Sequence, residues 1–497
     1  MPEYRPFTEP YKHQARALEK GKDRRWYGYL HEPGCGKTKT ALDDAAYNFT
    51  MGRINAVLVV APNTVHLNWA IREIPKHIPH VNTCTFVWEG EKANTNASKK
   101  AIMAQIGSQT PGILWVFCVN VEAFSHDRVL RTVKEFLKQR KVFWILDEST
   151  KIKTPGAKRT RKIQALAPLA VARRILTGTP ITQSPLDFYS QIRFLEKSVL
   201  GFDTFSAFKH HFAIWGQDWG TGGKYEKVVE YRYLDELAAR VETVCDLVRK
   251  EDCLDLPPKI YEVRDVRLAD NQRKLYNAVK YSMLAEIEIS ETEKREINVT
   301  NVLAKIIRMQ QIVGGHMPGS IDAIDGDEKF DQPIPGKNPK IDCLLDILLD
   351  LHEKVIIWAR FVPEVKLIAK TLRDRYGKDA VCEYHGEVKN DVRNAAINDF
   401  QDENAPVKYF VGTPASGGMG LTLTKGTVQI YFSNDFSLEK RLQAEDRSHR
   451  IGSVGERVLY IDLEAVDTID QIIRASLTQK SDLATMILNT IREGGCI

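Results

Sequence analysis

Short apolar runs recur along the chain and break off into polar loops: WYGYL (26–30), INAVLVVAP (54–62), GILWVFCVN (112–120), KVFWILDEST (141–150) and RRILTGTP (173–180). Helix-patterned segments separate them. Apolar runs of strand length joined by helices are the signature of a parallel sheet covered on both faces. The second half repeats the style with KVIIWARF (354–361), DAVCEYHG (379–386), VKYFVGTP (407–414), TVQIYFSN (427–434) and RVLYIDL (457–463). Because 497 residues exceed one ordinary core, two α/β domains of similar build are expected. We read an N-terminal domain over 1–232, a linker over 233–260 and a C-terminal domain over 261–497. The glycine-punctuated stretch 215–233 reads as a hairpin. A helical insertion is expected over 270–340, with a Pro/Gly-rich loop at its end, and an amphipathic closing helix over 468–493.

Composition narrows the function classes. With 43% apolar and 27% charged residues, and no apolar run near the roughly 20 residues a membrane-spanning helix needs, nothing is expected to cross a bilayer. The N-terminus has neither a secretory apolar core nor transit-peptide character, so a cytoplasmic location is expected, in a microbial cell or a virus-infected host. The basic run at 151–162 leaves a nuclear one open. Eight cysteines without a C-x-x-C pair indicate neither a zinc site nor a disulfide framework. A net charge of +5 is only mildly basic, so binding to nucleic acid must rest on local patches.

The chemistry begins at HEPGCGKT (31–38), one glycine short of the generic phosphate-binding loop because His31 stands at its first position. The loop joins a candidate strand (26–30) to a candidate helix (39–49), which is the context that motif needs. Gly34 and Gly36 let backbone amides close on phosphate oxygens, Lys37 would reach the terminal phosphates of ATP, and Thr38 would ligate Mg2+. His31 contributes only the start of the turn. Asp147 and Glu148 end the strand at 141–148, at the sheet edge where ligands of open α/β sheets bind. Asp147 can hold the magnesium and Glu148 can orient and deprotonate water. In QAEDRSHRIG (443–452), Arg447 and Arg450 stand three apart, on one face if helical, and can stabilise charge on a transferred phosphoryl group.

In chain order, YKHQARAL (11–18), HEPGCGKT, VLVVAPNTVHLNW (57–69), VNVEAF (119–124), DESTKIKT (147–154) and LTGTPITQSPLDFYSQIRFL (176–195) resemble the motifs of helicase superfamily two. YHGEVKNDVR (384–393), TPASGGMGLTLT (413–424) and QAEDRSHRIG continue the series. The linker VRKEDCLDLPPKIYEVRDVRLADNQRKLYNAV (248–279) is similar to that of the Swi/Snf-type double-stranded-DNA translocases in particular. The resemblance implies two RecA-like parallel-sheet domains in tandem, an ATP cleft between them, and small helical or hairpin protrusions. It implies that Gln14, Glu32, Gly34, Cys35, Gly36, Lys37, Thr38, Gly420 and Gln443 bind nucleotide, and that Arg447 and Arg450 act with Lys37 and Glu148 in catalysis. Asn68, Trp69, Lys151, Lys153, Thr177, Thr179 and Thr413 are the implied contacts to DNA, double-stranded or branched, through its phosphate backbone.

The expected function is therefore an ATP-dependent motor on duplex DNA, for which a monomer suffices. Two alternatives stay open from the residues: a helicase that separates DNA or RNA strands, and a nucleotide-gated scaffold without hydrolysis.

Overall fold

The computed structural model describes residues 4–63, 65–88, 110–182, 184–220, 223–253, 256–292, 299–317, 332–414, 421–450, 452–475 and 477. In the first half the strands are β1 (Trp26–His31), β2 (Ala56–Ala61), β3 (Thr83–Val87), β4 (Leu114–Asn120), β5 (Val142–Asp147), β6 (Ala172–Leu176), β7 (Ala213–Gly220), β8 (Gly223–Tyr231) and β9 (Cys245–Val248). The second half has β10 (Lys259–Val266), β11 (His316–Met317), β12 (Gln332–Pro333), β13 (Lys354–Trp358), β14 (Val381–Tyr384), β15 (Tyr409–Gly412), β16 (Gly426–Tyr431) and β17 (Val458–Ala465).

Seven of these form one parallel sheet in the order β3-β4-β2-β5-β6-β1-β9, and six form another in the order β10-β17-β16-β13-β15-β14. Alternation along the central strands fills both faces. Leu58, Val60, Phe117, Trp144 and Leu146 belong to one core layer, while Val57, Val59, Val116, Phe143 and Ile145 belong to the other. The second sheet does the same with Val355, Ile357 and Ile430 on one side and Ile356, Trp358 and Phe410 on the other. This two-sided burial is why the sequence reads as unbroken apolar runs rather than as clean alternation.

The stretch read as a linker at 233–260 is largely structural. It supplies a helix (Leu234–Glu242) and β9, which pairs with β1 at the edge of the first sheet, before the chain passes to β10 at the edge of the second. Neither edge strand carries a long apolar run, and pairing of their backbones is what recruits them. β7 and β8 form an antiparallel hairpin that stands apart from both sheets. Within 270–340, helices at Asp270–Thr292 and Val299–Gly314 pack on each other. Of the closing helix expected over 468–493, only 468–475 and 477 are described, and 469–475 and 477 are helical. Among the described residues no helix is long and apolar enough to cross a membrane.

Candidate nucleotide site

β1 runs into the loop 32–36 and then the helix Lys37–Thr50, whose cap is Gly36. The turn needs glycine: Gly34 and Gly36 have φ of +92° and +76°, where an L side chain is strained. A fourteen-residue helix therefore begins at the loop with its first amides unsatisfied by its own carbonyls, which is the arrangement that attracts anions. Gln14 holds the loop from behind, its Nε2 donating to the Cys35 and Gly36 carbonyls at 3.4 Å each while its Oε1 accepts from Tyr11 N. His13 Nε2 lies 2.8 Å from the Cys35 carbonyl oxygen.

The two carboxylates expected at the end of β5 are both buried. Asp147 Oδ1 accepts from Glu148 N at 3.0 Å, and Oδ2 accepts from the Trp69 indole N–H at 2.8 Å. Glu148 sits in the left-handed region at φ 48°, a strained state for a non-glycine residue of the kind that collects at functional sites. Its Oε1 is 3.8 Å from Lys37 Nζ. Burial pushes both carboxyls above their ordinary range, Glu148 to about 7, with Lys37 opposing the rise and the Asp147 charge adding to Glu148's.

Across the cleft, Arg447 and Arg450 lie not on a helix, as their spacing allowed, but in the turn that follows the helix Leu438–Glu445. The turn still aims both into the same space. The Arg447 carbonyl accepts from Leu423 N at 2.9 Å, and Arg450 Nη1 donates to Thr422 Oγ1 at 3.0 Å. Burial lowers both guanidiniums, Arg447 to about 10. A Cβ built on Gly34 would meet Arg450 Cβ at 2.9 Å, so the phosphate loop and the arginine turn touch. One cavity of about 360 Å3 lies between the lobes. Gln14, Gly34, Gly36, Lys37, Thr38, Asp147 and Glu148 line it from the first lobe, and Gln443, Arg447 and Arg450 from the second.

Several sequence expectations are redrawn. Trp69 and Asn68, read as DNA contacts, line this cavity. The chain widens into a π turn at Trp69–Glu73, and the indole is buried against Asp147 at the cavity wall rather than exposed on the outer surface. Thr177 and Thr413 are also buried. The Thr177 hydroxyl accepts from Thr179 N at 3.2 Å and lies 3.5 Å from Glu148 Oε2, whereas Thr179 is partly exposed. Lys151 reaches across the cleft to Glu439 at 3.4 Å, and Lys153 bonds to Thr182 and lies 3.9 Å from Asp187.

Glu32 and Cys35 support the loop instead of lining the cavity. The Glu32 carboxylate accepts from Lys250 N at 2.9 Å, and the Cys35 thiol is fully buried. His31 is more than the start of a turn: it is wholly buried, with Nε2 3.5 Å from Asp246 on β9, and burial lowers its pKa. Gly420 lies outside the described residues.

Sequence reasoning missed Glu73, Lys76 and His77 on the cavity wall. They follow Trp69 on its helical segment, and no local pattern marks them as cleft-facing. It also missed Lys250, whose buried ammonium bonds to Asp446 and to the His449 carbonyl, linking the crossing segment to the arginine turn.

The sequence profile of the SNF2-related domain matches residues 28–315, and that of the helicase conserved C-terminal domain matches 339–452. The chain belongs to the SNF2-related family. The two matched domains correspond in chain order to the two parallel-sheet lobes described above. Among curated proteins it is 27% identical to an uncharacterized ATP-dependent helicase of Mycoplasma genitalium over 95% of this chain and 41% of that one. It is 24% identical to the mouse chromodomain-helicase-DNA-binding protein 1-like over 93% of this chain and 47% of the relative. An Arabidopsis thaliana ISWI chromatin-remodeling complex ATPase is also 24% identical, over 86% and 37%. The chain thus spans less than half the length of these curated relatives. Among solved structures it is similar to the Sulfolobus solfataricus SWI2/SNF2 ATPase core in complex with dsDNA, at 21% identity and a TM-score of 0.42, over 99% of this chain and 95% of that one.

Proposed function

We propose that this chain is a DNA-stimulated ATPase that uses hydrolysis to move along duplex DNA and remodel DNA structures or protein–DNA complexes. The observation that carries the reading is the contact of Gly34 with Arg450 over a cavity walled by both lobes. A nucleotide bound there touches Lys37 on one lobe and the arginines on the other, so its affinity depends on how the lobes are set.

In this reading Lys37 and the loop amides hold the terminal phosphates of ATP. Glu148, raised toward neutrality by burial, takes the proton of the attacking water. Thr38 and Asp147 would hold magnesium, which supplies charge neutralisation on the phosphates when bound. The donor set suits such an ion, since Asp147 keeps lone pairs beyond its two hydrogen bonds. Arg447 and Arg450 are desolvated cations aimed into the cavity, suited to the charge that spreads over a transferred phosphoryl group.

The basic stretch following Glu148 gives the DNA-binding side of the proposal. Lys158 and Arg161 are exposed, and Lys153 and Thr179 partly so. Contacts of this type grip phosphates without reading bases, so binding should be salt-sensitive and largely independent of sequence. Relatives whose names describe DNA-binding helicases and chromatin-remodeling ATPases support this choice.

The test combines ATPase stimulation by duplex DNA, single-stranded DNA and RNA with triplex displacement and fork unwinding. Duplex stimulation and triplex displacement without unwinding are expected. Stimulation by RNA alone, or unwinding as the main product, would overturn duplex translocation, and unchanged phosphate release in Glu148→Gln would overturn the assignment of the catalytic base.

A further inference from the structure

We propose that Cys35 and Cys253 form a reversible disulfide that ties the phosphate loop to the crossing segment between the lobes and stops ATP turnover in the presence of hydrogen peroxide. The two sulfurs are 3.8 Å apart, both as free thiols. Cys35 stands inside the loop, fully buried, while Cys253 is partly exposed on the short segment that leaves β9 for the second lobe. No sequence signal pairs them, since they lie 218 positions apart and neither belongs to a C-x-x-C motif.

Access and consequence both follow from where the pair sits. Cys253 lines a cavity of about 550 Å3, together with Arg16, Lys20, Asp246 and Asp252, that shares no wall residue with the nucleotide cavity. A small oxidant can therefore reach Cys253 while Cys35 stays covered. The Cys253 sulfur attacks the peroxide O–O bond. This yields a sulfenic acid on Cys253 and one water, the two electrons passing from sulfur to peroxide oxygen. The Cys35 sulfur then displaces the hydroxyl as a second water and loses its own proton, so two thiols and one peroxide give one disulfide and two waters. Disulfides in a reducing compartment are usually transient and redox-sensing, which fits a pair that joins only under oxidant.

Bonding requires the sulfurs to close from 3.8 Å to about 2.05 Å. The loop is pinned on its other side by His13 and Gln14 at the Cys35 carbonyl, so the shift must distort the backbone between Glu32 and Lys37. The crossing segment is equally constrained, because Lys250, three residues before Cys253, holds both Glu32 and Asp446. A disulfide would therefore misplace the phosphate-binding amides and restrain the crossing segment together.

The experiment treats the reduced full chain with hydrogen peroxide, blocks remaining thiols, and maps the digest by mass spectrometry alongside ATPase assays. A 35–253 linked peptide is expected, with turnover reduced by about 100-fold, the scale of a 1 Å misplacement at an active site, and restored by dithiothreitol. Cys253→Ser and Cys253→Ala should match the parent in the reduced state and keep their activity in peroxide. Absence of the linked peptide, a linked protein with full turnover, or equal loss in both variants would each overturn the proposal. The turnover readout rests on the proposed ATPase activity, but the peptide map does not. A reduced protein without ATPase would therefore count against that function, while the thiol pair would be judged by the map.

Discussion

The Trp69 indole N–H donates to Asp147 Oδ2 at 2.8 Å, with both side chains buried between the phosphate loop and the end of β5. An aromatic residue on the segment after β2 thus fixes the orientation of the carboxylate proposed to hold magnesium, which lines the same cavity as Lys37 and Thr38.

Trp69→Phe keeps the packing and removes the donor. Losing one hydrogen bond to a buried charged group costs about 1.5–3 kcal/mol, so ATP turnover should fall by about 10- to 100-fold while DNA affinity stays near that of the parent. Steady-state ATPase assays and salt titrations of DNA binding check this. A drop in DNA affinity with unchanged turnover would restore Trp69 to the DNA surface.

Gly34→Ala should impair the enzyme for two separable reasons. Its φ of +92° strains an L residue, and the new Cβ would press on Arg450 Cβ at 2.9 Å. Gly52 offers the comparison, with φ +68° and nothing within 4 Å of a built Cβ. Both alanine variants should lose about 1–2 kcal/mol of stability from the backbone, read as a lower melting temperature. Only Gly34→Ala should also lose turnover, by roughly 10-fold or more, because small displacements of catalytic groups are costly.

Lys250 and Asp446 bridge the lobes as a buried pair. Asp446→Leu leaves the Lys250 ammonium buried beside the His449 carbonyl and more distant charges, a change that typically costs about 3–5 kcal/mol. Replacing both, as Lys250→Met with Asp446→Leu, should recover most of that stability by the same reasoning. Turnover should stay low in the double variant if the bridge sets the arginine turn, and the ratio of kcat to melting temperature across the three proteins reads this directly.

Glu364 gives a pH dependence with a definite sign. It is fully buried beside Ser433, whose hydroxyl it accepts, and it also accepts from Phe361 N. Burial outweighs these bonds and raises its carboxyl to about 7. The folded state therefore holds the proton more tightly than the unfolded one, so this contribution is complete below the ordinary glutamate range and fades as pH rises through about 7. Glu364→Gln should melt higher than the parent at pH 8 and close to it at pH 4. Equal melting temperatures at pH 8 would contradict the shift.

Much of this protein is determined by sequence alone. The apolar runs at 54–62, 112–120, 141–150 and 354–361 became central parallel strands because their length and two-sided apolarity leave few other structures that bury them. HEPGCGKT became a strand-to-helix loop because Gly34 and Gly36 supply the positive φ angles that the turn requires. Local signals sufficed there, since the physics is local.

What the sequence could not determine depends on partners brought together from far away. The edge strands β9 and β10 take their state from the strands they pair with, so they read as linker until the sheets exist. Trp69 looked like a surface contact because its partner Asp147 is 78 positions away, and Cys253 meets Cys35 across 218. The spacing of Arg447 and Arg450 suggested a helix face, but it is the turn after Glu445 that carries them into the cleft. Local spacing governs backbone form, whereas which side chains share a cavity is decided only when two separately built sheets are set against each other.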